Sequence, residues 1–119
     1  MHWDLKASGV RLPEGLAVRL GERLGFALER FAPRIERVVV FLHDLNGPRG
    51  GIDKACRIVV KIRGCGMVTA GVVDPDWWVA VDRATTRIGH TVSRTIERRR
   101  SAWHLRINRR SAPDPLLGA

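Results

Sequence analysis

Between Asp76 and Arg100 the chain reads DWWVAVDRATTRIGHTVSRTIERRR, and its basic residues are spaced for one kind of chemistry. On a helix at ~100° per residue, Arg83, Arg87, His90, Arg94 and Arg98 fall within an arc of roughly 80°. Trp77, Val81, Ala84, Ile88, Val92, Thr95 and Ile96 fall on the opposite side, within an arc about 120° wide. Guanidinium forks match the oxygens of phosphate, so the stripe is built to hold a polyanion. A solvated helix face is the other reading of any charge run. Here every position of the stripe is basic or can become so, and none is an acid that would form i,i+4 pairs.

The charge of the whole chain is arranged in the same sense. The 119 residues carry a net charge of +9, unevenly divided. Residues 1–82 hold 12 basic and 10 acidic residues, whereas residues 83–119 hold nine arginines against two acids. A charge gathered at one end marks a docking surface for a polyanion, with nucleic acid favoured over an anionic membrane. The apolar arc contains small residues and threonines, a weak membrane anchor. No apolar run reaches the ~20 residues that span a bilayer. The opening MHWDLKASG lacks the pattern of a signal peptide, so a cytoplasmic protein is expected.

A stripe needs a scaffold, and 119 residues suffice for one domain with one core. Trp3, Leu5 and Ala7 alternate with polar residues as in a half-buried strand. A first helix is expected from about Pro13 to Phe31, with Leu16, Leu20, Leu24, Ala27, Leu28 and Phe31 inward. Arg19, Arg23 and Arg30 flank one edge of that face. Gly15, Gly21 and Gly25 each weaken the helix by ~1 kcal/mol relative to Ala, so it must depend on packing. They could allow close approach of a strand or of another helix.

Pro33 is expected to end that helix. Ile35 to Leu45 is rich in β-branched residues and apolar on both faces at its centre, as in a central strand. Ala55 to Arg63 alternates, with Cys56, Ile58, Val60 and Ile62 inward. Gly64-Cys65-Gly66 turns the chain into a return strand with Val68, Ala70 and Val72 inward, a hairpin. Asp76 is a natural N-cap for the final helix, which is expected to reach about His104. Residues 105–119 are then expected to be a loosely held basic tail on a domain of 1–104.

The fold class that follows is α+β: a two-layer sandwich, β-α-β-β-β-α, with a four-stranded sheet and both helices on one face. The loop from Asn46 to Lys54 contains a GxxG, Gly47 to Gly50. It is either a flexible connector or a second phosphate contact through Arg49 or Lys54. Cys56 reads as core and Cys65 as an exposed turn residue. The histidines and cysteines show no metal spacing. Trp77 and Trp78 read as anchors of the helix start, and Trp103 either packs on the apolar arc or stacks on a base.

The segment Asp76-Trp-Trp-Val-Ala-Val-Asp82, followed by a basic helix, resembles the ribosome hibernation-promoting factor / ribosome-associated inhibitor family in its short form. The opening MHWDLKASGVRLPEGL fits the same pattern, and the resemblance covers roughly residues 1–100. It implies binding to the small ribosomal subunit and its ribosomal RNA, where mRNA and tRNA anticodon ends would sit, so that translation stops and the ribosome stays idle. Carried over by position, the RNA contacts are Arg87, His90, Arg94 and Arg98, with Arg83 added. Arg100, Arg23, Arg49 and Lys54 complete the candidate set. The chain departs from the family in using arginine where members often use lysine. Its 46–54 loop is longer and richer in glycine. It shows no dimerisation domain of the kind in the long members, so it is not expected to form their type of ribosome dimer by itself; a monomer in isolation is expected.

No catalytic signature is present: no GxSxG, Walker loop or HExxH. His43 and Asp44 are adjacent on a strand and point to opposite faces. Neither an enzyme, nor a cofactor, nor a small-molecule substrate is expected. The competing reading is a stand-alone regulator of the double-stranded RNA-binding type, which shares a related order of elements.

Overall fold

The computed structural model describes residues 1–45 and 53–111. Its elements are strand β1 (Trp3–Ala7), helix α1 (Leu16–Leu28), a 3-10 turn (Glu29–Arg34), strands β2 (Ile35–Asp44), β3 (Lys54–Ile62) and β4 (Gly66–Asp74), and helix α2 (Trp77–Ser111). The order is β-α-β-β-β-α, as expected. The four strands lie in the order β1-β2-β3-β4. β1 runs parallel to β2, and the other neighbours are antiparallel. β2 is central, as its two-sided apolar content implies.

Both helices cover one face of the sheet. Leu16, Leu20, Leu24 and Leu28 recur every fourth residue and are fully buried. They meet Val38, Val40 and Leu42 of β2, Cys56, Ile58, Val60 and Ile62 of β3, and Ala70 and Val72 of β4 in one core. Ala84, Ile88, Val92 and Ile96 of α2 close the same cluster. The thiol of Cys56 is pushed up to about 12 by that burial. Strands β2, β3 and β4 thus face the core with the residues their alternation indicates, and β1 does so through Trp3 and Leu5, while Ala7 at its end is exposed.

Helix α1 is shorter at both ends than its periodicity suggests. Gly15 sits at φ +84°, a left-handed conformation that stops the helix from starting before Leu16. At the other end the chain tightens into the 3-10 turn, with Pro33 inside it rather than beyond a helix end. The Arg34 guanidinium donates to the Arg63 carbonyl at 3.2 Å and to the Cys65 sulfur at 3.8 Å. Cys65 is therefore half-buried against the core, not the exposed turn residue expected.

Two glycines let elements approach closely. The indole of Trp3 on β1 lies 3.3 Å from where a Cβ on Gly21 would be. A Cβ on Gly89 of α2 would meet the Cβ of Ala27 at 3.1 Å and its carbonyl oxygen at 3.3 Å. Gly21 thus admits the strand, and the helix–helix approach is set from α2.

Asp76 caps α2 as expected, its carboxylate accepting from the Trp78 amide at 2.8 Å. The helix continues past His104 to Ser111, so no break marks the expected boundary. The rest of the expected tail, 112–119, lies outside the described residues. Ile96 is the last buried residue described on α2. Beyond it the sheet has run out, and Trp103 is 57% exposed although it continues the apolar arc.

Candidate nucleic-acid interface

The apolar arc of α2 is buried on β3, β4 and α1, which turns the opposite stripe to solvent. Arg83, Arg87, His90, Arg94 and Arg98 are all exposed. Four of them, Arg83, Arg87, His90 and Arg94, join Arg23 of α1 in lining an open groove of about 620 Å³. Asp82 and Thr86 form the rest of its wall. Helix α1 thus contributes a cation to a surface that the sequence places mainly on α2.

The groove is held in shape by ion pairs that reach across elements. Asp82 receives Arg19 Nε at 3.1 Å and Nη2 at 3.0 Å, a two-pronged contact between α2 and α1. Arg23 Nε lies 3.2 Å from the same carboxylate. The hydrogen bond from Arg19 is the main reason that the Asp82 carboxyl is held below its ordinary range. Arg19 in turn is raised by that contact. Asp82 is the one acid of the groove and is already occupied by two arginines.

The stripe itself divides. Arg83 Nη1 lies 3.7 Å from Asp74 at the end of β4. Arg87 Nη1 donates to the Gly71 carbonyl at 2.6 Å, on the outer edge of β4. Arg94 and Arg98 have no hydrogen-bond or ion-pair partner among the described residues. Arg98 belongs to a separate depression with Gly64, Cys65, Thr95, Arg99 and Ala102. Spacing along one helix revealed none of this, because the partners come from β4.

The remaining candidates lie elsewhere. Lys54 is drawn to Asp44 at 2.6 Å, with its ammonium 5.7 Å from the centre of the Trp77 ring. It anchors the start of β3 and of α2 and does not line the groove. Arg100 is exposed on the distal part of α2, turned about 100° from the stripe. Arg49 and the GxxG loop lie outside the described residues.

A neighbouring pocket between the helices adds residues that the sequence reading did not select. Arg30, Phe26, Ala27, Thr85 and Gly89 line it together with Arg23, Thr86 and His90. The Thr85 hydroxyl, buried there, is satisfied by the Val81 carbonyl at 2.9 Å. Phe26 is 91% exposed beside these cations. The signal for Phe26 was its departure from the apolar arc of α1: an aromatic on the wet side of an amphipathic helix.

Cations converge here while acids are spent on internal pairs. Such a groove suits phosphates held at several points rather than a base read through its edge. Among the described residues no group of three His, Cys, Asp or Glu side chains could hold a metal ion. No described helix is long and apolar enough to cross a membrane.

No protein-family model and no curated protein matches the chain. Solved structures do. The N-terminal domain of Protein Y from Thermus thermophilus superposes with a TM-score of 0.61 at 22% identity, over 77% of this chain and 94% of that one. A ribosomal subunit interface protein from Coxiella burnetii gives 0.60 at 21% identity, over 79% of this chain and 96% of that one. The chain shares the fold of these two proteins, the architecture that the resemblance of its sequence implied.

Proposed function

We propose that this chain is a ribosome-associated translation inhibitor. It docks on small-subunit ribosomal RNA in the mRNA/tRNA channel and keeps ribosomes idle in the cytoplasm. One observation carries the reading. Arg23, Arg83, Arg87, His90 and Arg94 line one groove on a fold shared with a ribosomal subunit interface protein. The role is one of binding, not catalysis. Phosphate contacts position the domain on the RNA. Arg98 and Arg100 extend the cationic surface along α2.

The test is co-sedimentation with vacant small subunits in a sucrose gradient, together with translation in a cell-free extract. Arg94→Glu with Arg98→Glu is the informative variant, because neither side chain supports the fold through a described polar contact. The wild type should travel with small subunits and inhibit translation, and the folded double variant should do neither. If the wild type instead prefers plain duplex RNA and spares translation, the chain is a regulator of the double-stranded RNA-binding type.

A further inference from the structure

The face of the sheet turned away from the helices carries no covering element among the described residues, yet it is not polar throughout. Lys6, Phe41 and Arg57 stand side by side on β1, β2 and β3, in register. The next place in that row is Gly71 of β4, which has no side chain. The Arg57 guanidinium lies 4.6 Å above the centre of the Phe41 ring. His43, two residues along β2, is stacked with Phe41, with centroids 6.4 Å apart and planes 6° from parallel. Val39 and Val59 form the floor beside this row, and Arg37, Lys61 and Met67 form its far side. Together they bound an open depression of about 410 Å³.

The charges of the face are arranged to one end. Asp4 lies 3.7 Å from Arg37, and Glu36 lies 3.5 Å from Lys61. Lys6 and Arg57, which flank Phe41, have no ion-pair partner among the described residues. Phe41 is half-buried, and its ring stands on the open face between these two cations, with the Arg57 guanidinium resting over it. A planar base with a phosphate on each side satisfies all three groups at once.

From this placement we infer that the open sheet face is a second binding surface, for single-stranded RNA, with a base stacked on Phe41 and its flanking phosphates held by Lys6 and Arg57. Four-stranded sheets that stack bases on an exposed aromatic are a general solution for single-stranded RNA. The surface lies across the sheet from the α1–α2 groove. The chain would therefore hold RNA on both sides. The inference stands on the sheet alone and does not require that the groove docks on a ribosome.

The probe is a fluorescently labelled dodecauridylate, with binding read by anisotropy at low salt. Phe41→Ala should weaken binding about tenfold, the usual size of a lost stacking contact. Phe41→Tyr should restore it, and Arg57→Gln should weaken it with the ring in place. Arg94→Glu with Arg98→Glu should leave the Phe41-dependent loss intact, which separates this face from the groove. Circular dichroism melts of each variant report the fold. The inference is overturned if folded Phe41→Ala and Arg57→Gln bind the probe as the wild type does. It is also overturned if inorganic polyphosphate, which has no bases, shows the same dependence on Phe41. Sedimentation of the wild type as a dimer that Phe41→Ala dissociates would assign the face to a second copy of the chain instead.

Discussion

Asp82 of α2 takes both prongs of the Arg19 guanidinium of α1, at 3.0 and 3.1 Å, and thereby fixes the distance between the helices that frame the groove. A single carboxylate does two jobs: it joins the helices and it occupies Arg19 and Arg23. Asp82→Asn should lower the melting temperature by a few degrees. It should also tighten polyanion binding at low salt, because one negative charge leaves the groove. The pH dependence has a definite sign. The Asp82 carboxyl is held below its ordinary range, chiefly by the Arg19 hydrogen bond. Its contribution to stability is therefore complete above the ordinary aspartate value of about 3.9 and is lost as pH falls below it through the native value. Wild type and Asp82→Asn should differ in stability at neutral pH and converge on strong acidification, in melts recorded across that range.

The contact of Gly89 with Ala27 sets the second limit on the helix pair. A side chain at 89 points at backbone as well as at a methyl group, with the Ala27 carbonyl at 3.3 Å from a Cβ. Gly89→Leu should destabilise through overpacking, which costs about 1–3 kcal/mol, against a gain of about 1 kcal/mol in helix propensity. Gly25 is the control, since a Cβ there meets nothing within 4 Å. Gly25→Ala should therefore stabilise by up to about 1 kcal/mol. Urea midpoints moving in opposite directions for the two variants would bear this out, and equal shifts would contradict it.

These residues also show where the sequence is readable. The strands, their inward residues apart from Ala7 at the exposed end of β1, and the Asp76 cap follow from alternation and local chemistry, and the structure contains them. The end of α1 was less readable, because Gly15 at φ +84° and the 3-10 turn around Pro33 are backbone choices that periodicity does not express. The division of the arginine stripe was not readable at all. A helical wheel tests an arginine against acids on its own helix. The oxygens that engage Arg83 and Arg87 belong to Asp74 and Gly71, on a strand whose edge meets α2 only in three dimensions. Asp82 stood out as part of a motif, but its partner Arg19 is 63 residues away.

The two cysteines should differ in chemistry. Cys56 is buried and its thiol is pushed up to about 12 by desolvation, so native thiolate is scarce at neutral pH. Cys65 is only half-buried and has the Arg34 guanidinium 3.8 Å from its sulfur. Iodoacetamide at mildly alkaline pH should label Cys65 in the folded protein and reach Cys56 only on opening of the core. Mass spectrometry of the peptides before and after denaturation checks the order, and labelling of Cys56 first would refute it.

Arg94 and Arg98 provide the sharpest test of the groove, because both are exposed arginines on the same stripe and neither has a described polar partner. They differ in place: Arg94 lines the groove with Arg23 and His90, and Arg98 lies toward the β3–β4 turn. Ribosomal RNA binding through phosphates should weaken with salt, the slope reporting the number of phosphates neutralised. Arg94→Gln should reduce that slope by about one contact and lower affinity evenly across RNA sequences. Arg98→Gln should reduce it less if the groove, rather than the whole helix, is the docking surface. Salt titrations of small-subunit binding for the two single variants decide this. Equal slopes would show that the ligand follows α2 along its length, past the end of the sheet, and that the contribution of Arg23 from α1 is incidental.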